Sequence, residues 1–310
     1  MTFSPDCRYL LGYCYNDEKL ILFDLAERTV NSNPFFSGSS ELPGNPLIRV
    51  TNDGTVLVKH STYLRMYDSH FNIILSRDNF SWGGSFISLS YSGDRFYVED
   101  NYNIYAFDIQ ANLLWSVALP ESNEQYPSRS FSLSNTGAML AVTDFDKLYM
   151  YSTDSGDMMA EFTFEDNIRN PEFSESDAFL LVDCFTDPDV TPHKPINSFG
   201  FRSFTLQNNS IEISSEFHEP NHRIDLTMPY YFSDYMISEN GFILGFLYYN
   251  PSFVRIALLS PRMEFKWLSE NLAFNRNWNF RIISHQQGIN SANSSFWFFD
   301  GESIHSCLIE

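Results

Sequence analysis

The stretch 133–162, LSNTGAMLAVTDFDKLYMYSTDSGDMMAEF, confines this chain to a narrow set of folds, because it holds one complete structural unit that the rest of the sequence repeats. A small polar turn at Ser134 and Gly137 leads into an apolar strand at 139–142. A charged turn at 144–147 then leads into an aromatic strand at 148–151. A second glycine turn at Gly156 precedes a third strand at 158–164, and residues 130–133 supply a fourth ahead of Ser134. Four short strands joined by tight turns make one antiparallel up-and-down sheet, which buries its faces only if it recurs.

It does recur. The turn Ser/Thr-x-x-Gly, or its relic, stands at Ser4, Thr51, Ser90, Ser134, Ser174, Ser238 and Ser284, with spacings of 47, 39, 44, 40, 64 and 46 residues. A second marker keeps the same register: an aromatic or apolar residue followed by Asp or Ser closes the third strand. Its copies are Phe23-Asp24, Tyr67-Asp68, Phe107-Asp108, Tyr151-Ser152, Leu259-Ser260 and Phe299-Asp300, with Phe204-Thr205 as the degenerate one. Among 310 residues there are 30 Phe and 17 Tyr, and no stretch of ten or more residues shows a sustained apolar period of 3.6. An all-β chain with almost no helix follows.

The turn FSPD at 3–6 and the pairs Phe-Asp and Tyr-Asp resemble a WD40-like β-propeller across nearly the whole chain, at the level of architecture. The family's Trp-Asp pair is Phe-Asp or Tyr-Asp here and its Gly-His pair is missing, so a quinoprotein-like type fits as well. The resemblance implies an all-β, seven-bladed β-propeller of four-stranded antiparallel blades in a single domain over 1–310. The blades would span about 1–32, 46–76, 85–119, 128–164, 170–217, 232–268 and 278–310. Only three residues precede the first turn, so the first blade is expected to be incomplete. Either the ring closes without the usual shared blade or the native chain extends upstream of Met1.

Charge narrows the function. Acids outnumber bases by 39 to 19, a formal charge of -20, which argues against nucleic-acid binding through a general basic footprint. The partner expected is a protein with a basic face; the alternative is that acidity serves solubility alone. The four cysteines (Cys7, Cys14, Cys184, Cys307) form no CxxC pair, and the N-terminus carries neither a basic segment nor an apolar signal core. Reduced thiols and a cytoplasmic location are expected. No run of 18 apolar residues occurs, so no membrane span is expected. A monomer is expected.

In an up-and-down blade with strands A to D, the B–C and D–A loops emerge on one face and the A–B and C–D turns on the other. The long loops (31–46, 77–85, 120–128, 187–196, 218–230 and 269–277) all fall on the D–A/B–C face, where binding is expected. The aromatic residues in and beside them, Trp82, Tyr126, Tyr230, Tyr231, Phe274 and Trp278, have the composition of protein-binding anchors. Arg129 and Arg169, each five residues before a repeat serine, fall at equivalent places on neighbouring blades. Two such arginines suit a carboxylate or phosphate, unless each pairs with a local acid such as Glu124 or Glu165.

Catalytic signatures are absent: there is no GxSxG, P-loop, dinucleotide glycine motif or zinc-ligand cysteine pair. His193, His218 and His222, with Glu219, are the metal-ligand candidates, but Pro220 prevents a helix between the nearer two. No metal and no cofactor are expected. The run STDSG at 152–156 resembles half of an Asp-box turn without its closing Trp, and reads as an ordinary C–D hairpin. The sequence therefore points to a non-catalytic interaction platform for a basic protein. A propeller hydrolase or lyase with a site at the channel mouth is the alternative, and a bacterial immunity-type protein neutralising a basic toxin is another.

Overall fold

The repeat serine builds the same turn from sheet to sheet in the computed structural model. Ser4, Thr51, Ser90, Ser134, Ser174 and Ser238 are all buried. The hydroxyls of Ser4, Thr51, Ser90, Ser174 and Ser238 accept the backbone N–H of Tyr9, Thr55, Arg95, Phe179 and Phe242 at 2.9 to 3.1 Å. The turn then needs a left-handed residue three positions on, which is Gly54, Gly93, Gly137 and Gly241 in four copies. In the other two, Cys7 (φ 58°) and Asp177 (φ 56°) adopt that conformation without glycine's freedom. Cys7 thus lies in a turn, outside the strand that carries Cys14; neither is in a disulfide, nor is the buried Cys184.

The structure describes residues 2–4, 6–14, 17, 19–34, 46–60, 63–78, 86–90, 92–100, 102–120, 129–174, 176–185, 199–207, 210–218, 231–238, 241–250, 253–260, 262, 265–268, 272–273, 281–285, 294–299 and 304–309. Within these, side chains are not described for 34, 78, 185, 199–201, 207, 210, 214–218, 231–234, 236, 246–250, 253–255 or anything beyond 262.

Seven antiparallel sheets follow one another in chain order, and no helix occurs among the described residues. Sheet 1 comprises Thr2–Phe3, Tyr9–Cys14, Lys19–Asp24 and Thr29–Pro34; sheet 2 Leu47–Val50, Val56–His60, Tyr63–Tyr67 and Ile73–Asp78. Sheet 3 comprises Ile87–Leu89, Arg95–Glu99, Asn103–Asp108 and Leu113–Ala118; sheet 4 Arg129–Leu133, Met139–Asp144, Lys147–Ser152 and Met158–Thr163. Sheet 5 comprises Asn167–Phe173, Phe179–Phe185, Phe199–Gln207 and Ser210–His218. Sheet 6 comprises Tyr231–Ile237, Ile243–Asn250, Phe253–Leu259 and Phe265–Leu268, with Leu272–Ala273 added against its third strand. Sheet 7 shows three strands among the described residues: Arg281–His285, Ser294–Phe299 and Ile304–Ile309. Its Ser284 sits inside the first strand, opposite Trp297, and so does not occupy the turn position its counterparts hold.

The second sequence marker also has a physical cause. The carboxylates of Asp24, Asp68 and Asp108 cap the C–D turn, accepting the N–H groups of Ala26 and Glu27, of His70 and Asn72, and of Asn112. The Arg8 guanidinium 2.9 Å away, with the Glu27 and Ala26 N–H groups, holds the Asp24 carboxyl down at about 2. These aspartates thus serve their own turns, while the aromatic residues before Asp68 and Asp108, Tyr67 and Phe107, are buried, as is Tyr151 before Ser152.

The chain folds as two compact units: Met1–Pro127 with Thr136–Leu140 and Tyr151–Met158, and Ser128–Asn135 with Ala141–Met150 and Met159–Glu310. In the first, Tyr9, Leu11, Leu20 and Leu22 of sheet 1 pack with Ile48, Val50, Val56 and Val58 of sheet 2. A second cluster joins Leu57, Leu64 and Met66 of sheet 2 to Ile87, Phe96, Val98 and Phe107 of sheet 3. In the second unit, Phe204 is fully buried between Phe162 and Phe164, with ring centroids 5.3 and 6.0 Å away. No helix among the described residues is long and apolar enough to cross a membrane.

Candidate functional site

Arg129 opens the first strand of sheet 4, and its Nε donates to Asp144 Oδ2 at 2.9 Å, with both side chains buried. Burial raises the Asp144 carboxyl above its ordinary range, and the neighbouring Arg129 charge only partly offsets this. The other oxygen, Asp144 Oδ1, is buried with no partner among the described residues.

Arg169 stands at the corresponding place on sheet 5, directly opposite Asp183 on the next strand. Its Nε lies 3.6 Å from Asp183 Oδ2, and the arginine side chain remains 44% exposed. That contact is electrostatic; the hydrogen bond to the carboxylate comes from Asn170 Nδ2 at 2.9 Å. Pro171 follows Asn170, and the strand register slips by one between Arg169 and Glu172. This bulge holds Asn170 in the left-handed region at φ 49°. Asn170 also accepts Ser130 Oγ on its Oδ1 at 3.5 Å, and Tyr235 Oη on its backbone carbonyl at 2.7 Å. One strained residue therefore ties together the first strands of sheets 4, 5 and 6.

The consequence falls on Asp183. Burial pushes its carboxyl up to about 6, against the lowering effects of Tyr235, Asn170 and Arg169. Its Oδ1 has no partner among the described residues. Burial, helped by the Asp183 charge, drives the Tyr235 hydroxyl well above its usual value. A carboxyl poised near neutrality beside a phenol and a guanidinium has the chemistry of proton transfer. Both sequence-predicted arginines face carboxylates of their own sheets, so the anion they meet here is the protein's own.

In the first unit, Lys59 lies near the end of strand B of sheet 2 and Glu99 ends strand B of sheet 3, and both are buried. Burial lowers the Lys59 ammonium, which Glu99 and Asp100 counter. Asp100 caps the next turn, accepting the N–H groups of Tyr102 and Asn103 and the Tyr105 hydroxyl. The sequence reading missed Asp144, Asp183, Asn170, Tyr235, Lys59 and Glu99. Its available signal was a charge at the last positions of otherwise apolar strands, VLVK, RFYVE and LLVD.

Trp82, Tyr126, Tyr230, Phe274, Trp278, His193, Glu219, His222 and Glu124 lie outside the described residues. Tyr231 opens the first strand of sheet 6 and His218 ends the last strand of sheet 5, with their side chains not described. Among the described residues no group of three or more His, Cys, Asp or Glu is placed to hold a metal ion.

No protein-family model matches the chain, and no curated protein matches it by sequence. Solved structures do. The β-propeller domain of Myceliophteria thermophila Cps50 (Swd1) is similar at 12% identity and a TM-score of 0.59, over 100% of this chain and 96% of that one. Hydrazine synthase of Kuenenia stuttgartiensis is similar at 14% identity and a TM-score of 0.54, over 83% and 75%. Kluyveromyces lactis Hsv2p is similar at 12% identity and a TM-score of 0.54, over 85% and 83%. At such identities the likeness is one of fold alone, and with the seven successive sheets it gives this chain the β-propeller fold.

Proposed function

We propose that this propeller is a non-catalytic interaction platform that binds a basic protein through its D–A/B–C face. The observation that carries the reading is the state of the two arginines. Arg129 pairs with Asp144 in a buried contact and Arg169 faces Asp183, so the two arginines that could have received an anionic ligand already meet carboxylates of the protein. The chain's formal charge of -20 then favours a cationic partner. Trp82, Tyr126, Tyr230, Phe274 and Trp278 of the loop segments, with Tyr231 at the start of sheet 6, are the anchors of this reading. Affinity capture from native lysate, at low and at raised salt, tests this. A basic protein retained at low salt and released at high salt supports the platform; retention only of acidic proteins or nucleic acid overturns it.

One observation favours a second reading, a hydrolase or lyase with its site at the inner ends of sheets 4 to 6. Asp183, raised to about 6 and hydrogen-bonded by the strained Asn170, is the residue such an enzyme would use as acid or base. Propellers host both classes, so the fold does not choose. Turnover of an ester or glycoside panel that disappears in Asp183→Asn, with the fold intact, would move the assignment to the enzyme.

A further inference from the structure

We propose that the outer edge of sheets 2 and 3, together with the C–D turn of sheet 4, is a second docking surface, built for a cationic amphipathic helix of a partner protein. It lies on the A–B/C–D side, away from the long loops.

The first observation is a recurrent bulge. In sheet 2, Met66 opposes Leu75 and Tyr67 opposes Ile73, leaving Ile74 as an extra residue. In sheet 3, Ala106 opposes Trp115 and Phe107 opposes Leu113, leaving Leu114 extra. Sheets 5 and 6 slip at the same place, and there the extra residues are Ser214 and Lys266. A bulge breaks the two-residue alternation, so neighbouring side chains can both escape the pleat. Where the extra residue is aliphatic, an apolar pair is left in solvent: Ile73 and Ile74 are 61% and 51% exposed, Leu113 and Leu114 48% and 45%. Met158, at the matching place on sheet 4, is 53% exposed.

The second observation is that neighbouring sheets touch along this edge. Trp115, beside Leu114, donates its indole N–H to Thr153 O at 2.8 Å and lies so close to Gly156 that a Cβ there would meet it at 2.9 Å. The edge of sheet 3 and the turn that ends at Met158 are thus in direct contact. Between sheets 2 and 3, Leu75, beside Ile74, packs against the cluster that holds Phe107 and Ala111, the latter in the C–D turn of sheet 3.

Charge and backbone select the occupant. Asp68, Asp108, Asp154 and Asp157 stand in the C–D turns along this edge. Hydrogen bonds from the turn itself hold Asp68 and Asp108 below the usual carboxylate range and therefore ionised. Arg95, 2.7 Å from Asp154, offsets only one of these charges. A bulge distorts the row of edge N–H and C=O groups that an added strand would need, so recognition falls to side chains. A second copy of this chain, or an anionic membrane surface, would meet a formal charge of -20 with like charge. A helix with an apolar stripe between lysines or arginines matches both the aliphatic pairs and the acidic turns.

The test uses the full chain and a labelled synthetic helix of leucine and lysine, with a scrambled peptide of the same composition as control. Fluorescence anisotropy at low salt should show the patterned helix binding and the scrambled one binding far more weakly. Leu113→Ser with Leu114→Ser should weaken binding about tenfold or more, and Asp154→Asn with Asp157→Asn should reduce both affinity and its salt dependence. Trp278→Ala should leave it unchanged. The substituted leucines are exposed, so unaltered melting is expected and is checked alongside. Equal binding by the serine variant, or equal binding of the scrambled peptide, would overturn the proposal. Sedimentation provides the remaining outcome: self-association of the native chain that the serine variant abolishes would make the occupant a second copy, and would also overturn it.

Discussion

Asp183 shows how much a single carboxyl can be asked to bear. It is buried, and it shares one oxygen with Asn170 while the other goes unpartnered among the described residues. Its folded value near 6 lies above the ordinary 3.8, so the native state holds this proton more tightly than the unfolded chain does. Stability from this group is therefore fully present below about pH 3.8 and is lost as pH rises through about 6, a swing on the order of 3 kcal/mol. Asp24, Asp68 and Asp108 act in the opposite sense. Their depressed values give stability that is present above the unfolded range and lost as pH falls through the folded values. Urea unfolding of the native chain and of Asp183→Asn at pH 4 to 7 separates them. The native chain should lose stability across that window, and the variant should lose markedly less; identical slopes would show that Asp183 is not the titrating group.

Elements show which parts of this fold could be read in advance. The Ser turn and the aromatic-Asp turn were legible because each answers a local demand: a hydroxyl or carboxylate must cap N–H groups, and a left-handed residue must follow. Glycine is the cheapest answer to the second demand, and Gly156 tests it. Its φ is 78°, and a Cβ would lie 2.9 Å from Trp115 Cε3, whereas at Gly137, with φ 73°, the nearest atom is Ser90 Cβ at 3.4 Å. Gly137→Ala should cost about 1–2 kcal/mol from backbone strain alone, and Gly156→Ala about 1 kcal/mol or more beyond that, because the indole is pinned by Thr153. Equal melting of the two variants would show that Trp115 gives way. The partners of Arg129 and Arg169 were not legible, because Asp144 and Asp183 lie 15 and 14 positions away in sequence and meet them only through strand pairing. The bulges at Ile74 and Leu114 were hidden for the same reason: register belongs to two strands together. Phe107, legible in the sequence as part of a strand-closing pair, plugs the gap between sheets 2 and 3. It is fully buried with Leu57, Leu64 and Met66 of the neighbouring sheet, stacks 5.0 Å from Phe96 and lies under the Arg77 guanidinium. Phe107→Ala should cost about 3–5 kcal/mol in urea unfolding; a loss under about 1 kcal/mol would remove it from that role.

At the scale of the whole molecule, the two proposed surfaces differ in which residues hold their binding energy, and that makes them separable once a partner is in hand. On the D–A/B–C face the anchor is aromatic, Trp278; on the outer edge it is aliphatic, Leu113 and Leu114. Net charge acts on both alike. It steers a basic partner during encounter, so raised salt should slow association and leave dissociation nearly unchanged. Loss of an anchor acts on the bound state, so it should appear mainly in dissociation, at about 2 kcal/mol for a hot spot. Surface plasmon resonance on a captured partner can therefore be read reciprocally. For a partner of the loop face, Trp278→Ala should speed dissociation roughly thirtyfold, while Leu114→Ser and Asp154→Ala leave both rates alone. For a partner of the outer edge the pattern should invert, with Leu114→Ser speeding dissociation and Asp154→Ala slowing association. A captured partner that ignores Trp278→Ala but responds to Asp154→Ala would place this protein's main interaction on the turns that its repeat serines and aspartates build.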